Sequence, residues 1–414
     1  MSILNVALDP STLVVAVDPG KVMNRVWMSN GTGLLTDPMS LPVSRSGIDA
    51  LEQLVGQYGA LERGGDLVVA IEATGSLHRA WVGELEHRHP KSVRLFAPSE
   101  TKAARTQLGS GRFKTDDRDC AALTYLARQG AGRPWAGELS VDTLRTVVRH
   151  RAGLVADRKV LQQRMHDQLN SLAPGLSAPV GHGRALPLEQ PSGQAVLACA
   201  VAFAGRAPTV RSLQTRAPGR FTTADAGFWA QRWRDCLPPP HDADLRAQRL
   251  GRDLVRYQAL QSDIAALEGQ LTELLMGTDG QVLITLPGVA VVRASAFAAH
   301  SLPITRFPDA EHLYSATGLA PALYESATVR RRGRISRQGL AEHRNALMGI
   351  AWGLSRYSPA FAERDAEYRA RGMAPIQARV ALARHACRLT YRLLVTQQPF
   401  DEEAYRRGRH SRGR

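Results

Sequence analysis

Asp18, Glu72, Asp116 and Asp119 are the residues of this chain whose types and positions suggest chemistry. Asp18 closes the apolar run Leu13-Val14-Val15-Ala16-Val17, and Glu72 closes Leu67-Val68-Val69-Ala70-Ile71, so both carboxylates are expected at the ends of buried strands. Asp116 and Asp119 head a helical stretch reaching about residue 129, and their i, i+3 spacing puts both on one helix face. Carboxylates crowded together repel one another and resist ionising unless a cation neutralises them. The set of four therefore points to a hard divalent metal with oxygen ligands. Magnesium fits best, with manganese as the alternative, and two such ions about 4 Å apart would stabilise the attacking and leaving oxygens of a phosphodiester in an in-line displacement. Taken singly, each acid is more readily explained as a helix cap or a strand end; only the set argues for metal.

The composition narrows the partners. A chain of 414 residues with 44% hydrophobic content can bury more than one core, which predicts two or three domains. Its net charge is +15, and lysine occurs only at Lys21, Lys91, Lys102, Lys114 and Lys159, so the positive charge is nearly all arginine. Arginine abundance alone could follow from a GC-rich genome, but the excess over acids does not, and it favours a polyanion, nucleic acid first. Cys120, Cys199, Cys236 and Cys387 lie far apart without a Cys-x-x-Cys pair, which suggests neither a zinc site nor a disulfide framework and makes a reducing cytoplasm the default. No leader-like segment opens the chain, no apolar run reaches membrane-spanning length, and no Gly-x-x-x-x-Gly-Lys loop supports ATP-driven chemistry.

The elements that must position the acids follow from patterning. Residues 12–135 alternate strand-like and helix-like segments, including strands near 24–29 and 93–96 and a helix near 78–87. This is the pattern of a mixed sheet covered by helices and fits a ribonuclease-H-like domain whose acids meet at one edge. From 141 to 172 a helix carries Leu154, Leu161, Met165, Leu169 and Leu172 on one stripe. A second, from about 244 to 276, places Tyr257, Leu260, Ile264, Leu267, Leu271 and Leu274 at alternating steps of three and four, the seam of a coiled coil. An intramolecular hairpin and a dimer account for these stripes equally well. Between them, residues 174–240 read as an irregular Pro-, Gly- and Arg-rich insertion with a buried helix at 195–204 and a little helix including Phe228, Trp229 and Trp233.

The last domain, 281–400, opens with the turn Leu286-Pro287-Gly288-Val289, whose backbone N–H groups could meet a DNA phosphate, although Pro-Gly also marks ordinary helix connections. Arg330, Arg331, Arg332, Arg334 and Arg337 follow without an intervening acid and would repel one another unless an anion sat among them; a solvated loop is the plainer reading. The tail, 401–414, is basic from Arg406 onward, and its composition predicts disorder.

Taken in order, several segments resemble the DEDD transposases of the insertion sequence 110 family, relatives of the pilin-gene invertases. They are Val17-Asp18-Pro19-Gly20, Ile71-Glu72-Ala73-Thr74-Gly75, Lys114-Thr115-Asp116-Asp117-Arg118-Asp119, the Leu286-Pro287-Gly288-Val289 turn, Gly318-Leu319-Ala320-Pro321 leading to Tyr324-Glu325-Ser326, and Gly333-Arg334-Ile335-Ser336-Arg337-Gln338-Gly339. The resemblance implies a RuvC-like catalytic domain at 1–135, a coiled-coil middle at 136–280, and a mostly helical transposase domain at 281–400. Asp18, Glu72, Asp116 and Asp119 would be the magnesium-binding tetrad, and Ser326 the nucleophile that forms a covalent phosphoserine link to DNA. On spacing alone Ser336, nearer the arginines, would be a second candidate. The resemblance further implies donor and target DNA, a structured bridge RNA that pairs with both, a dimer assembling to a tetramer, and a bacterial, nucleoid-associated cytoplasmic setting.

The departures are Ala290, where many relatives carry a second glycine after the turn; Asp117, a fifth acid expected to point away from the metal face; and the long 174–240 insertion. Rival readings are a RuvC-like nuclease or junction resolvase using water as nucleophile, an actin-like ATPase lacking its second phosphate loop, and a non-enzymatic nucleic-acid-binding protein.

Overall fold

The computed structural model describes residues 7–58, 66–109, 114–135, 139–177, 186, 188–326 and 329–411, and the side chains among them except those of 139, 323–334 and 409–411. Two compact units divide the chain, Met1–Gly137 and Glu138–Arg414.

In the first unit a mixed sheet comprises β1 (Leu13–Asp18), β2 (Met23–Asn30), β3 (Gly33–Leu34), β4 (Met39–Pro42), β5 (Leu67–Glu72), β6 (Val93–Phe96) and β7 (Arg133–Pro134). Its order is β3-β2-β1-β5-β6-β7, with β4 also pairing to β2. β1, β5 and β6 run parallel, while β2 returns antiparallel to β1. The apolar runs that lack alternation are those with both faces covered. Leu13, Val15, Val17, Val69 and Ile71 pack on one face with Ile48, Leu51 and Val55 of α1 (Arg45–Gln57) and with Trp81, Val82 and Leu85 of α2 (Arg79–Arg88). Val14, Ala16, Val68 and Ala70 face the other side. There Cys120, Leu123 and Ala127 of α4 (Asp116–Arg128) cover them, and α3 (Pro98–Gln107) packs beside α4.

The second unit is built on a hairpin of two long helices, α5 (Leu139–Leu172) and α9 (Ala243–Met276), packed along each other. Met165, Leu169 and Leu172 of one, and Tyr257, Ile264, Leu267 and Leu271 of the other, are buried within the chain. The seam seen in the sequence is thus occupied intramolecularly.

The segment between the two helices is not irregular, as composition suggested. It forms α6 (Pro191–Ala202), α7 (Val210–Arg216) and α8 (Thr223–Arg234), which share one core with the ends of the hairpin around Trp233. The Trp233 indole N–H donates to the Gly205 carbonyl at 3.1 Å, and Thr222 and Asp225 cap α8 reciprocally. Proline and glycine here mark the short links between helices rather than a structureless loop.

A second core joins the base of the hairpin to α10 (Val291–Ser301), α11 (Ala310–Ala316), α12 (Ala341–Tyr357), α13 (Pro359–Ala370) and α14 (Pro375–Thr396). Strands β8 (Pro321–Ser326) and β9 (Val329–Ile335) pair antiparallel, so the arginine-rich stretch is a hairpin strand and not a loop. The tail is likewise not disordered where it is described. Helix α15 (Glu402–Ser411) stacks Tyr405 on Phe361 at 5.2 Å between ring centroids, and Glu402 accepts from Ser358 Oγ and the Ala360 N–H. An aromatic and an acid at its start anchor a segment whose average composition is that of a solvated tail. None of the described helices is long and apolar enough to cross a membrane.

Candidate active site

The register of the sheet decides where the acids go. β1 and β5 run parallel with Val17 opposite Ile71, so Asp18 and Glu72 end adjacent strands side by side. Side chains alternate along a strand, and residues 14, 16, 68 and 70 face α4, so Asp18 and Glu72 fall on that same side. α4 brings Asp116 and Asp119 to it in its first turn, started by Thr115, whose hydroxyl accepts from the Arg118 N–H at 3.3 Å. After β1 the chain turns tightly. Asn24, 1% exposed, accepts from the Gly20 N–H at 3.0 Å, and a Cβ at Gly20 would stand 2.0 Å from the Met23 carbonyl oxygen.

The electrostatics reflect this crowding. Burial, followed by the charges of Asp119, Glu72 and Asp116, pushes the Asp18 carboxyl up to about 7. Asp119, 1% exposed, is also raised, chiefly by burial, against the opposing pull of Arg105. Arg105 Nη1 lies 2.8 Å from Asp119 Oδ1 and Lys114 Nζ 4.0 Å from Oδ2. The Arg105 contact lacks hydrogen-bond alignment, leaving Asp119 Oδ1 buried with no hydrogen bond. Glu72 accepts from the Thr74 hydroxyl at 2.6 Å. Asp117 turns to Arg25, whose Nε donates to it at 2.6 Å. The nearby Cys120 thiol is buried and held far above its ordinary range by that burial, a poor ligand.

These residues offer a divalent ion oxygen donors of the hard type, one of them the buried Asp119 Oδ1, ion-paired with Arg105 but without a hydrogen bond, and the donor set fits magnesium or manganese in kind. Among the described residues no group of three or more His, Cys, Asp or Glu side chains is drawn together tightly enough to hold an ion. The carboxylates share a region, and one of them is engaged by an arginine. Arg105 and Lys114 were not picked out from sequence; Arg105 reaches the acids from a separate helix, so no local motif marks it.

In the second unit Ser326 ends β8, opposite Val329 in the ladder, and its side chain lies outside the described residues. So do the side chains of Arg330, Arg331, Arg332 and Arg334, whose backbones lie in β9. Ser336 is held locally: its N–H donates to the Ala320 carbonyl at 2.9 Å and its hydroxyl accepts from the Gln338 N–H. Arg337 is exposed, with φ +55, and its N–H donates to the Gly318 carbonyl. Gly288 has φ +72, and a Cβ there would stand 2.8 Å from the Gly353 carbonyl oxygen, so close packing on α12 is itself sufficient reason for glycine.

Comparisons agree with this order of parts. A model described as the DEDD transposase of IS110 elements matches residues 15–174, and one described as the transposase of the IS116/IS110/IS902 family matches 280–366. The chain is 28% identical over 263 residues to an uncharacterized 44.8 kDa protein of insertion element IS116 from Streptomyces clavuligerus, covering 60% of this chain and 62% of that protein. It is 27% identical over 294 residues to an uncharacterized 43.6 kDa protein of insertion element IS110 from Streptomyces coelicolor, covering 69% of this chain and 71% of that one. The match thus spans a little under two thirds of the IS116 protein's length. With one family model on the acid-bearing unit and the other on the segment containing Ser326, in that order along a single chain, the protein belongs to the IS110 family of transposases.

Proposed function

We propose that the chain breaks and rejoins DNA strands through a covalent phosphoserine link, with Asp18, Glu72, Asp116 and Asp119 as the metal-binding carboxylates and Ser326 as the nucleophile. The observation that supports this reading is the gathering of acids on the α4 side of the sheet, where burial, followed by the charges of the neighbouring acids, pushes the Asp18 carboxyl up to about 7. Magnesium, or manganese, bound there would offset the repulsion and neutralise charge on the phosphate. The Ser326 hydroxyl attacks phosphorus; an Oγ–P bond forms, the bond to the DNA 3′ oxygen breaks, and that oxygen takes up a proton. A serine needs a base to lose its own proton, and a carboxylate of the acidic cluster, from this chain or a second copy, is suited to accept it. Rejoining reverses the step, so no nucleotide triphosphate is required.

Sequence choice in this reading comes from a bridge RNA pairing with donor and target DNA, while the protein reads backbone and shape. A dimer assembling to a tetramer completes the active sites. The net charge of +15 supports a polyanionic partner without distinguishing RNA from DNA. The test is an adduct assay: protein, DNA, RNA and Mg2+ are incubated, denatured and resolved. A DNA-linked band is expected for the native chain and absent for Ser326→Ala. An adduct that survives Ser326→Ala removes the serine assignment, and native cleavage without any adduct favours water as the nucleophile.

A further inference from the structure

On α12, residues Arg344, Met348, Trp352 and Arg356 recur every four positions and so form one row, which contains no acid. Its buried side, with Ala346, Leu347, Ile350 and Leu354, belongs to the core. Gly349 and Gly353 leave the helix bare between the two, and the start of the neighbouring α10 lies against that bare strip. The Arg293 Cδ is 4.0 Å from where a Cβ on Gly349 would sit, and the Gly288 carbonyl oxygen is 2.6 Å from one on Gly353. Arg293 is held there by donating from Nη1 to the Gly288 carbonyl at 2.5 Å.

The result is a pair of arginines on one indole. The guanidinium carbons of Arg293 and Arg356 lie 4.9 Å and 5.4 Å from the centre of the Trp352 ring. Neither arginine has a carboxylate partner among the described residues. The ring face attracts each cation, yet two like charges sharing one ring still repel. A fixed pair of guanidiniums with spare N–H donors is the arrangement that binds phosphate. Beside it stands Tyr357, 62% exposed, and Arg344, whose Nη1 donates to the Thr317 carbonyl at 3.5 Å, stands at the N-terminal end of the row.

We propose that this row of α12, together with Arg293 and Tyr357, is a docking surface for the phosphate backbone of DNA, with Arg293 and Arg356 gripping the phosphates and Trp352 holding both guanidiniums in place. It rests on the nucleic-acid reading above and adds to it residues other than the acids and Ser326. A protein partner would need a matching acidic face; the +15 charge of the chain makes DNA the better complement.

The test measures binding of a short fluorescein-labelled duplex by the full chain, in EDTA, across a range of salt. Arg293→Gln with Arg356→Gln is expected to lower affinity roughly tenfold at moderate salt and to make the salt slope shallower by about one for each phosphate no longer held. Arg252→Gln, the loss of one exposed charge on α9, is the control for the single change Arg356→Gln and should leave the slope nearly unchanged. Circular dichroism of each variant checks the fold, and the exposed single change Arg356→Gln serves should the double variant fold poorly. If Arg252→Gln lowers the slope as much, or if the α12 variants bind duplex normally, the surface is refuted. Loss of affinity for RNA but not for DNA also refutes it. A native chain that binds no duplex at all would overturn the proposed exchange of DNA strands itself, a result distinct from native binding with unaffected variants.

Discussion

Replacing Asp18 by Asn should stabilise the metal-free protein while abolishing strand cleavage. The carboxyl of Asp18 is pushed from near 4 up to about 7 by burial and by Asp119, Glu72 and Asp116. Holding it ionised above that pH costs up to about 4 kcal/mol, and solvent screening of a partly buried group reduces this to about 1–2 kcal/mol. The sign follows from proton counts. Between about pH 4 and pH 7 the native chain keeps a proton that the unfolded chain has released, so stability falls as pH rises through this window and levels off above it. The Asn variant lacks that slope, so its advantage should be near zero at about pH 4 and complete by about pH 8. Hydrogen exchange of peptides from β1 and β5, in EDTA at several pH values, isolates this sheet from the rest of the chain. Added Mg2+ should protect the native chain far more than the variant. An Asn variant less protected than the native chain at about pH 8, or equally advantaged at both ends of the range, would refute the claim that burial and the neighbouring acids disfavour an ionised Asp18.

Arg105→Ala strips the cation from Asp119, a carboxylate only 1% exposed. Without divalent ion it should cost about 3 kcal/mol, and Mg2+ should restore more of that stability than it adds to the native chain, as thermal melts with and without the ion would reveal. In the second unit, burial holds His343 down at about 3 and His300 at about 4. Both are neutral when folded but take up protons when unfolded near 6.5, so stability should fall as pH drops from about 6.5 toward 4, and His343→Gln should flatten the decline in urea melts. Gly353→Ala sets a methyl 2.6 Å from the Gly288 carbonyl oxygen. The expected loss is about 1–3 kcal/mol by denaturant unfolding, and an unchanged midpoint would show that the turn on α12 yields easily.

Much of this protein could be read locally. Continuous apolar runs 13–17 and 67–71 announced strands covered on both faces, because no face of them could be left in water. The two long helices were visible in their periodic stripes, and the start of α4 was placed at Asp116. Short-range composition misled at 174–240 and in the tail, where the deciding contacts, Trp233 with Gly205 and Tyr405 with Phe361, join residues that no local window relates.

The acids themselves show the same division. Sequence spacing determined that Asp116 and Asp119 share a helix face and that Asp18 and Glu72 end strands. Only the parallel pairing of β1 with β5, and the packing of α4 on one side of them, set all four on the same side of the sheet. Arg105 beside Asp119, and Arg293 with Arg356 on Trp352, were likewise decided in three dimensions, because charge and quadrupole forces act through space between residues that chain order keeps apart.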